Sequence, residues 1–195
     1  MFYLDAIARA NRMINVLLDG QSVHRVNTAG ALRMEAAEID NLAFVAIPAL
    51  YPIQSLFGEI TGYTDGLVDF MRSSGMFSFR VDGDMISGSY DLYGDIGDFS
   101  ILRSDKDRWG VDLFRMTGPQ SFVEWFFTPR DRGGAAPRGY AFSDGRLSKW
   151  GDLVTVEDER SLFSIFGVRY LSPKMRRQYK PSSYKTLLYP IRGNV

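Results

Sequence analysis

The sequence contains no cysteine and a single histidine, His24. Disulfide bonds, thiolate nucleophiles and cysteine-ligated zinc are therefore excluded, and so is any metal site that needs several histidines. A metal ion, if one is used, must be held by oxygen ligands. A Ser-His-Asp hydrolase is disfavoured, because His24 lies in a predicted strand where a surface or packing role is usual.

Long apolar runs are also missing, since no stretch of eighteen or more apolar residues occurs. The first residues lack the basic, apolar and small-residue order of a signal peptide. We therefore expect a soluble intracellular protein of the cytoplasm, or of a host cytoplasm or virion if it is viral. The 195 residues, 45% hydrophobic, suffice for one domain or two small ones.

Charge is balanced over the whole chain but not along it. From Arg169 onward there are seven basic residues and no acidic one, whereas the first 168 residues carry 16 basic against 23 acidic residues. Tyrosines are interleaved with these basic residues, so the C-terminal segment is suited to binding phosphates and stacking on bases. Alternatively, the C-terminal segment neutralises the acidic charge of the first 168 residues or docks on a partner protein.

Hydrophobic spacing and turn residues predict an N-terminal helix followed by a sheet with further helices. The predicted helices of this part span residues 2–18 and 65–74, the second capped by Thr64, and the predicted strands span residues 22–27, 41–47, 76–81, 85–92, 99–103 and 109–116. Beyond them we predict a helix at 120–127, a loop at 128–137, a hairpin at 140–147 and a helix at 156–166 capped by Thr155. The fold class is therefore α+β, with a mixed-sheet body followed by a small subdomain.

Several ordered stretches resemble family X DNA polymerases, the polymerase beta group. Ala-Gly-Ala-Leu-Arg at 29–33 resembles the Gly-Ser-Leu-Arg-Arg turn of the family, and Trp-Gly-Val-Asp-Leu at 109–113 resembles its Arg-Val-Asp-Leu strand. Trp-Phe-Phe-Thr at 125–128 resembles the Tyr-Phe-Thr-Gly helix end of the family. The helix that ends at Phe166, followed by Gly-Val-Arg-Tyr-Leu-Ser-Pro, resembles the family thumb. The resemblance implies a nucleotidyltransferase-like palm over residues 1–118, a thumb-like subdomain over 119–176 and a basic tail over 177–195. It also makes Asp112 the third metal-binding aspartate of the palm.

The residues that this family uses for catalysis are largely replaced. Its Asp-x-Asp pair, which holds two divalent cations, begins eleven residues after the turn glycine, and here those positions are Asn41 and Ala43. Ala31 and Met34 stand where a serine and an arginine would hold the triphosphate. Glu38 and Asp40 form another acid-x-acid pair, three residues too early unless the turn is shortened.

The resemblance and these losses together predict a catalytically inactive polymerase-X-like protein that needs no cofactor and binds DNA or a protein of a larger replication or viral assembly. One alternative is an active minimal polymerase that uses Mg²⁺ with Asp112, Glu38 and Asp40. A second alternative is a structural interaction subunit without nucleic-acid binding. The predicted nucleic-acid contacts are Arg130, Arg132, Arg138, Lys174, Arg176, Arg177 and Lys180; the oligomeric state is left open.

Overall fold

A computed structural model describes residues 1–189 of the chain. The fold is α+β with a mixed sheet, as predicted from the sequence. Within the described residues, no helix is long and apolar enough to cross a lipid bilayer.

The chain divides into two compact units. The first comprises residues 1–32 and 36–105, and the second comprises residues 33–35 and the chain from Lys106 onward. This boundary lies before the predicted one at residue 118, because residues 109–117 form a helix that packs within the second unit. The predicted tail, 177–195, is described to residue 189 and belongs to the second unit; its end, with Arg192, lies outside the described residues.

The first unit is a five-stranded mixed sheet with helices on one face and a separate hairpin. Its elements are α1 (Tyr3–Asp19), β1 (Val23–Thr28), α2 (Gly30–Arg33, which runs into the second unit), β2 (Leu42–Pro48), β3 (Leu50–Gln54), β4 (Ile60–Asp65), α3 (Gly66–Ser73), β5 (Phe77–Asp82), β6 (Met85–Leu92) and β7 (Asp95–Arg103). The sheet order is β1-β2-β7-β6-β5, with β2 and β7 parallel and the other pairs antiparallel. Strands β3 and β4 form the hairpin.

Alternation along the strands decides which sheet face is buried by the helices. Phe44 of β2 and Ile101 of β7 point to the side where Ala10 and Met13 of α1 complete the core. Helix α3 joins the same core and is capped by Asp65, whose carboxylate accepts from the first turn, and not by the predicted Thr64. The opposite sheet face carries the polar residues described below.

The second unit is built on an aromatic helical core beside a three-stranded sheet. Its elements are α4 (Trp109–Thr117), α5 (Gln120–Phe127), a 3-10 turn (Arg130–Arg132), β8 (Tyr140–Ser143), β9 (Arg146–Lys149), β10 (Asp152–Leu153), α6 (Glu159–Phe166), α7 (Pro173–Gln178) and a 3-10 helix (Pro181–Leu187). Phe114 lies 4.6 Å from Phe126 and 5.6 Å from Phe163, measured between ring centroids. The predicted hairpin is confirmed, with Asp144 and Gly145 at φ 50° and 74° in its turn.

Two sequence predictions in this unit are wrong. Residues 109–116 form helix α4 and not a strand, because nearly all of its residues are buried and packing overrides their preference for strands. Helix α6 begins at Glu159, three residues later than predicted, and its cap is Asp158, which accepts a hydrogen bond from the Ser161 amide at 2.7 Å; Thr155 does not cap it.

Candidate functional site

Of the two predicted catalytic positions, Ala43 lies on β2 and Asn41 immediately precedes that strand; the neighbour of β2 on the far side from β1 is β7. Ala43 pairs with Ser100 of β7, and the side-chain amide nitrogen of Asn41 donates a hydrogen bond to the Ser100 hydroxyl at 3.3 Å. The side chains of Asn41 and Ser100 therefore emerge together, on the sheet face opposite the helices. In this register a third metal ligand beside positions 41 and 43 would come from position 98 or 100 of β7, which are Asp98 and Ser100, since adjacent strands lie about 4.8 Å apart.

The same sheet face continues as a polar surface across the neighbouring strands. An open depression of about 460 Å³ lies over β5, β6 and β7. Its polar lining residues are Ser78, Arg80, Ser87, Ser89 and Asp98. Ser89 pairs with both Ser78 and Asp98, so these side chains share one face of the sheet. Sequence reasoning missed this surface, although the alternation of serine with apolar residues along β6 could have indicated it.

The acidic pair Glu38 and Asp40 lies in the segment that leads into β2. Both residues are exposed, while Ile39 between them is fully buried. The Ile39 amide donates to the Met1 carbonyl at 3.0 Å, and Glu38 forms a bridge with Phe2. Both carboxylates therefore precede the strand, and neither occupies a strand position beside Ser100.

Asp112, the predicted third metal ligand, lies on helix α4 in the second unit. Its side chain is buried, and its carboxylate is 3.2 Å from Arg108 Nε and 3.4 Å from an Arg115 terminal nitrogen. The prediction that Asp112 sits on a strand of the palm sheet is wrong, and its carboxylate is engaged by two arginines. In the part of the chain that the structure describes, no three His, Asp or Glu residues come together as a metal-binding group.

A buried charged cluster, formed by Arg33, Glu159 and Arg176, lies inside the second unit. The Glu159 carboxylate is 2.5 Å from Arg33 and 2.9 Å from Arg176, and Arg33 also donates to Thr117 at 2.9 Å. Arg176 is fully buried, donates to the Leu171 carbonyl, and stacks over the Phe114 ring.

Glu159 is ionised in this cluster although it is almost fully buried. Burial by itself favours the protonated acid, but the hydrogen bond from Arg33 and the charge and hydrogen bond of Arg176 outweigh it. The pKa of Glu159 is consequently lowered from its ordinary value. Both arginines engage the Glu159 carboxylate, which makes the cluster a structural group, although one terminal nitrogen of Arg176 has no hydrogen-bond partner within the described residues.

The predicted nucleic-acid contacts fall into two groups. Arg132, Arg138, Arg177 and Lys180 are exposed, and Lys174 is exposed but paired with Glu35 at 2.6 Å. Arg176 is wrong as a contact because it is fully buried in the charged cluster. Arg130 is also a structural residue, since its guanidinium donates to the carbonyls of Ala135 and Phe166.

Exposed cations gather around the 3-10 helix Pro181–Leu187, and we call this set the basic surface: Arg132, Arg169, Lys180 and Lys185. The Nζ atom of Lys185 lies 3.9 Å from the position that a Cβ atom would take on Gly133. Because Arg132 directly precedes Gly133, Lys185 lies beside it. The Arg169 amide donates to the Leu187 carbonyl at 2.8 Å, and its guanidinium donates to the Tyr179 hydroxyl at 2.7 Å. Arg169 and Lys185 were not among the predicted contacts, although both belong to the acid-free C-terminal segment.

No protein-family model matches the chain, and no curated protein matches it. The function must therefore be argued from the geometry of these sites.

Proposed function

We propose that this protein is a catalytically inactive relative of family X DNA polymerases that binds DNA through the basic surface of its second unit. The observation that carries the proposal is that Asn41 and Ala43 replace the paired aspartates: Ala43 pairs with Ser100 of the parallel strand β7, and the Asn41 side chain donates to the Ser100 hydroxyl. The palm-and-thumb assignment of the two units is part of the proposal, and it rests on the ordered sequence resemblance.

The strand pairing supports the loss of catalysis. Nucleotidyl transfer by two divalent cations needs carboxylates from neighbouring strands on one sheet face. The carboxylate of Asp98 on β7 shares this sheet face, but it is one carboxylate where the family uses three. Positions 41, 43 and 100 hold an amide, a methyl group and a hydroxyl, none of which carries charge. An Asn–Ser hydrogen bond joins two of them, so these side chains satisfy each other without a cation.

The turn after β1 supports the same reading. In the family resemblance, this turn holds the triphosphate through a hydroxyl and a guanidinium, and Ala31 and Met34 supply neither. Arg33 is the one arginine that the turn retains, and its guanidinium is committed to Glu159 and Thr117. A triphosphate would have to displace a buried ion pair to recruit it.

The basic surface supports nucleic-acid binding. Its four cations are exposed, and the whole segment from Arg169 onward has no acidic residue. Cations on such a surface bind phosphates of either strand without reading sequence, by releasing the counterions of the nucleic acid. We therefore expect binding that is insensitive to sequence and strongly sensitive to salt.

The active alternative would need Asp112, Glu38 and Asp40 to act together. Asp112 is paired with Arg108 and Arg115 on helix α4. A metal site would require breaking those ion pairs.

The test is the salt dependence of DNA affinity, measured by fluorescence anisotropy on a gapped duplex. With four phosphate contacts, log Kd should change with log salt with a slope of roughly 3 to 4. Charge reversal at Lys185 or Arg132 should weaken binding several-fold at moderate salt and reduce that slope by about 1.

The matched control is Lys106→Glu, which makes the same charge change at an exposed lysine outside the basic surface. It should leave the slope unchanged. Equal loss in Lys106→Glu and Lys185→Glu would contradict a localised surface. Absence of binding even at low salt would leave the structural interaction subunit as the better description.

A further inference from the structure

The hairpin β3–β4 exposes apolar side chains on a scale that is unusual for a surface element. All five residues of β3 are exposed, and Leu56 and Phe57 in the turn are 102% and 92% exposed. The other large apolar residues exposed on this hairpin are Leu50, Tyr51, Ile53, Ile60 and Tyr63. An isolated two-stranded hairpin is only marginally stable in water, so its bare faces call for a partner.

The base of the hairpin is nevertheless held firmly by the first unit. The Tyr51 hydroxyl donates to the Gln21 carbonyl at 2.6 Å. Asp65, the last residue of β4, caps helix α3 and forms an ion pair with Arg103 at 2.7 Å. The hairpin is therefore a defined projection from the unit.

The exposed area fits one side of a stable interface. Seven large side chains, each 42% to 102% exposed, amount to on the order of 800 Å² over the tip and both faces of the hairpin, at about 150–250 Å² for a large side chain. Each partner contributes roughly 800 Å² to a standard-size interface, whereas the largest apolar patch of a monomer is usually about 300–600 Å².

A groove that can receive an apolar tip lies at the base of the same hairpin. It has a volume of about 350 Å³. Its apolar wall consists of Ile53, Tyr63, Val68 and Val81. Its charged wall consists of Asp65, Asp69, Arg72 and Arg103, of which Asp69 and Arg72 are exposed.

The charges at the two ends of the hairpin are complementary. Glu59 is exposed beside the tip, and Arg72 is exposed at the groove. Neither forms an ion pair with any residue in the described range 1–189. One molecule thus carries an apolar tip with an unpaired anion, and a groove of mixed lining in which Arg72 has no ion pair among the described residues.

We propose that the hairpin is the interface of a two-fold symmetric homodimer, in which the Leu56–Phe57 tip of each copy enters the β3–β4 groove of the other. Two hairpins packed antiparallel place each tip at the base of its partner, which is how a two-fold contact repeats itself. Glu59 of one copy then faces Arg72 of the second copy, twice per dimer. Burial of the Leu56–Phe57 tip and formation of the two charge pairs between copies would explain why the tip and the groove are both exposed in a single chain.

The test is sedimentation velocity of the full chain from low to high micromolar concentration, with variants that separate the apolar and charged contributions. Wild-type protein should form dimers, and Leu56→Ser with Phe57→Ser should remain monomeric. Glu59→Arg and Arg72→Glu should each weaken the dimer by tenfold or more, because like charges then oppose each other. The double charge swap should restore the dimer to within a few-fold of wild type.

The control is Tyr93→Ser, which removes an aromatic side chain that is 90% exposed in the β6–β7 turn and should leave dimerisation unchanged. A wild-type protein that stays monomeric throughout would overturn the proposal. A dimer that is indifferent to Glu59→Arg and Arg72→Glu would do the same. Hairpin-dependent binding of monomers to phosphatidylcholine vesicles would show that the tip enters lipid instead.

Discussion

The two units of this protein bury their residues in different ways. The first unit packs helices on one face of a sheet, which leaves a polar face and an apolar hairpin in solvent. The second unit surrounds Phe114 and Phe163 with other aromatic rings and encloses a charged cluster. The first unit thus leaves a polar sheet face and a hairpin exposed, whereas the second carries the basic surface on a core that contains an interior charge network.

The largest expected effect is the loss of the buried charge in the second unit. Glu159→Gln leaves Arg176 fully buried beside a neutral amide, so we expect a loss of about 3–5 kcal/mol in the free energy of unfolding. All three tryptophans, Trp109, Trp125 and Trp150, belong to the second unit, so tryptophan fluorescence during urea denaturation reports on it alone. The control Glu157→Gln alters an exposed acid and should cost less than about 0.5 kcal/mol. A loss below 1 kcal/mol for Glu159→Gln would mean that the cluster contributes little.

The same carboxylate should make the second unit sensitive to acid. The pKa of Glu159 is lower in the folded chain than its ordinary value of 4.5, so the unfolded chain binds the proton more readily. The stabilisation is complete above pH 4.5 and is lost as the pH falls through the lower folded pKa. The midpoint temperature of unfolding, followed by tryptophan fluorescence, should therefore fall less steeply from pH 7 to pH 3 in Glu159→Gln than in wild-type protein. The midpoint of Glu159→Gln should still fall somewhat with pH, because the pKa of Asp158 is lowered as well, chiefly by the backbone hydrogen bond from Ser161.

A smaller effect is expected at the base of the hairpin in the first unit. Asp65→Ala removes the cap of α3 and one partner of a partly buried ion pair, so we expect a loss of about 1–2 kcal/mol. Asp65→Asn should lose less, because an asparagine still caps the helix. Far-ultraviolet circular dichroism during denaturation measures both, with the exposed Asp82→Ala as the control. Equal losses in Asp65→Asn and Asp65→Ala would assign the effect to the ion pair alone.

The smallest effect is expected at the hairpin tip. Leu56→Ser with Phe57→Ser should change the unfolding free energy of monomeric protein by less than about 0.5 kcal/mol, because neither side chain packs on its own chain. The measurement is denaturation at a concentration where wild-type protein is monomeric. A marked loss there would mean that the tip packs within one chain, and would remove the basis for an interface.

The first unit was predictable from sequence to a large extent. Alternation and chain-breaking residues gave β2, β6 and the first helix to within about two residues. Hairpin β3–β4 was missed, because Pro52 lies within its first strand and both faces are exposed, so no buried stripe marks it.

The second unit was harder because packing decides its local structure. Trp109 and Val111 suit a strand by propensity, yet they form a helix that is buried on almost every side. The burial of Arg176 could not be inferred from a cluster of basic residues, since its partner Glu159 lies 17 residues earlier in the chain. The candidate site at Ser100 required the strand pairing, which sequence spacing alone does not provide.

The most direct test of the central claim is nucleotide incorporation on a gapped primer-template with Mg²⁺ or Mn²⁺, with the protein in excess over DNA. Binding is followed by anisotropy in the same mixture. We expect folded protein to occupy the DNA and leave the primer unextended, because Asn41 and Ala43 replace the paired aspartates and leave Asp98 of β7 without them on this sheet face. Primer extension by wild-type protein that is abolished by Asp112→Ala or by Asp98→Asn would contradict this expectation.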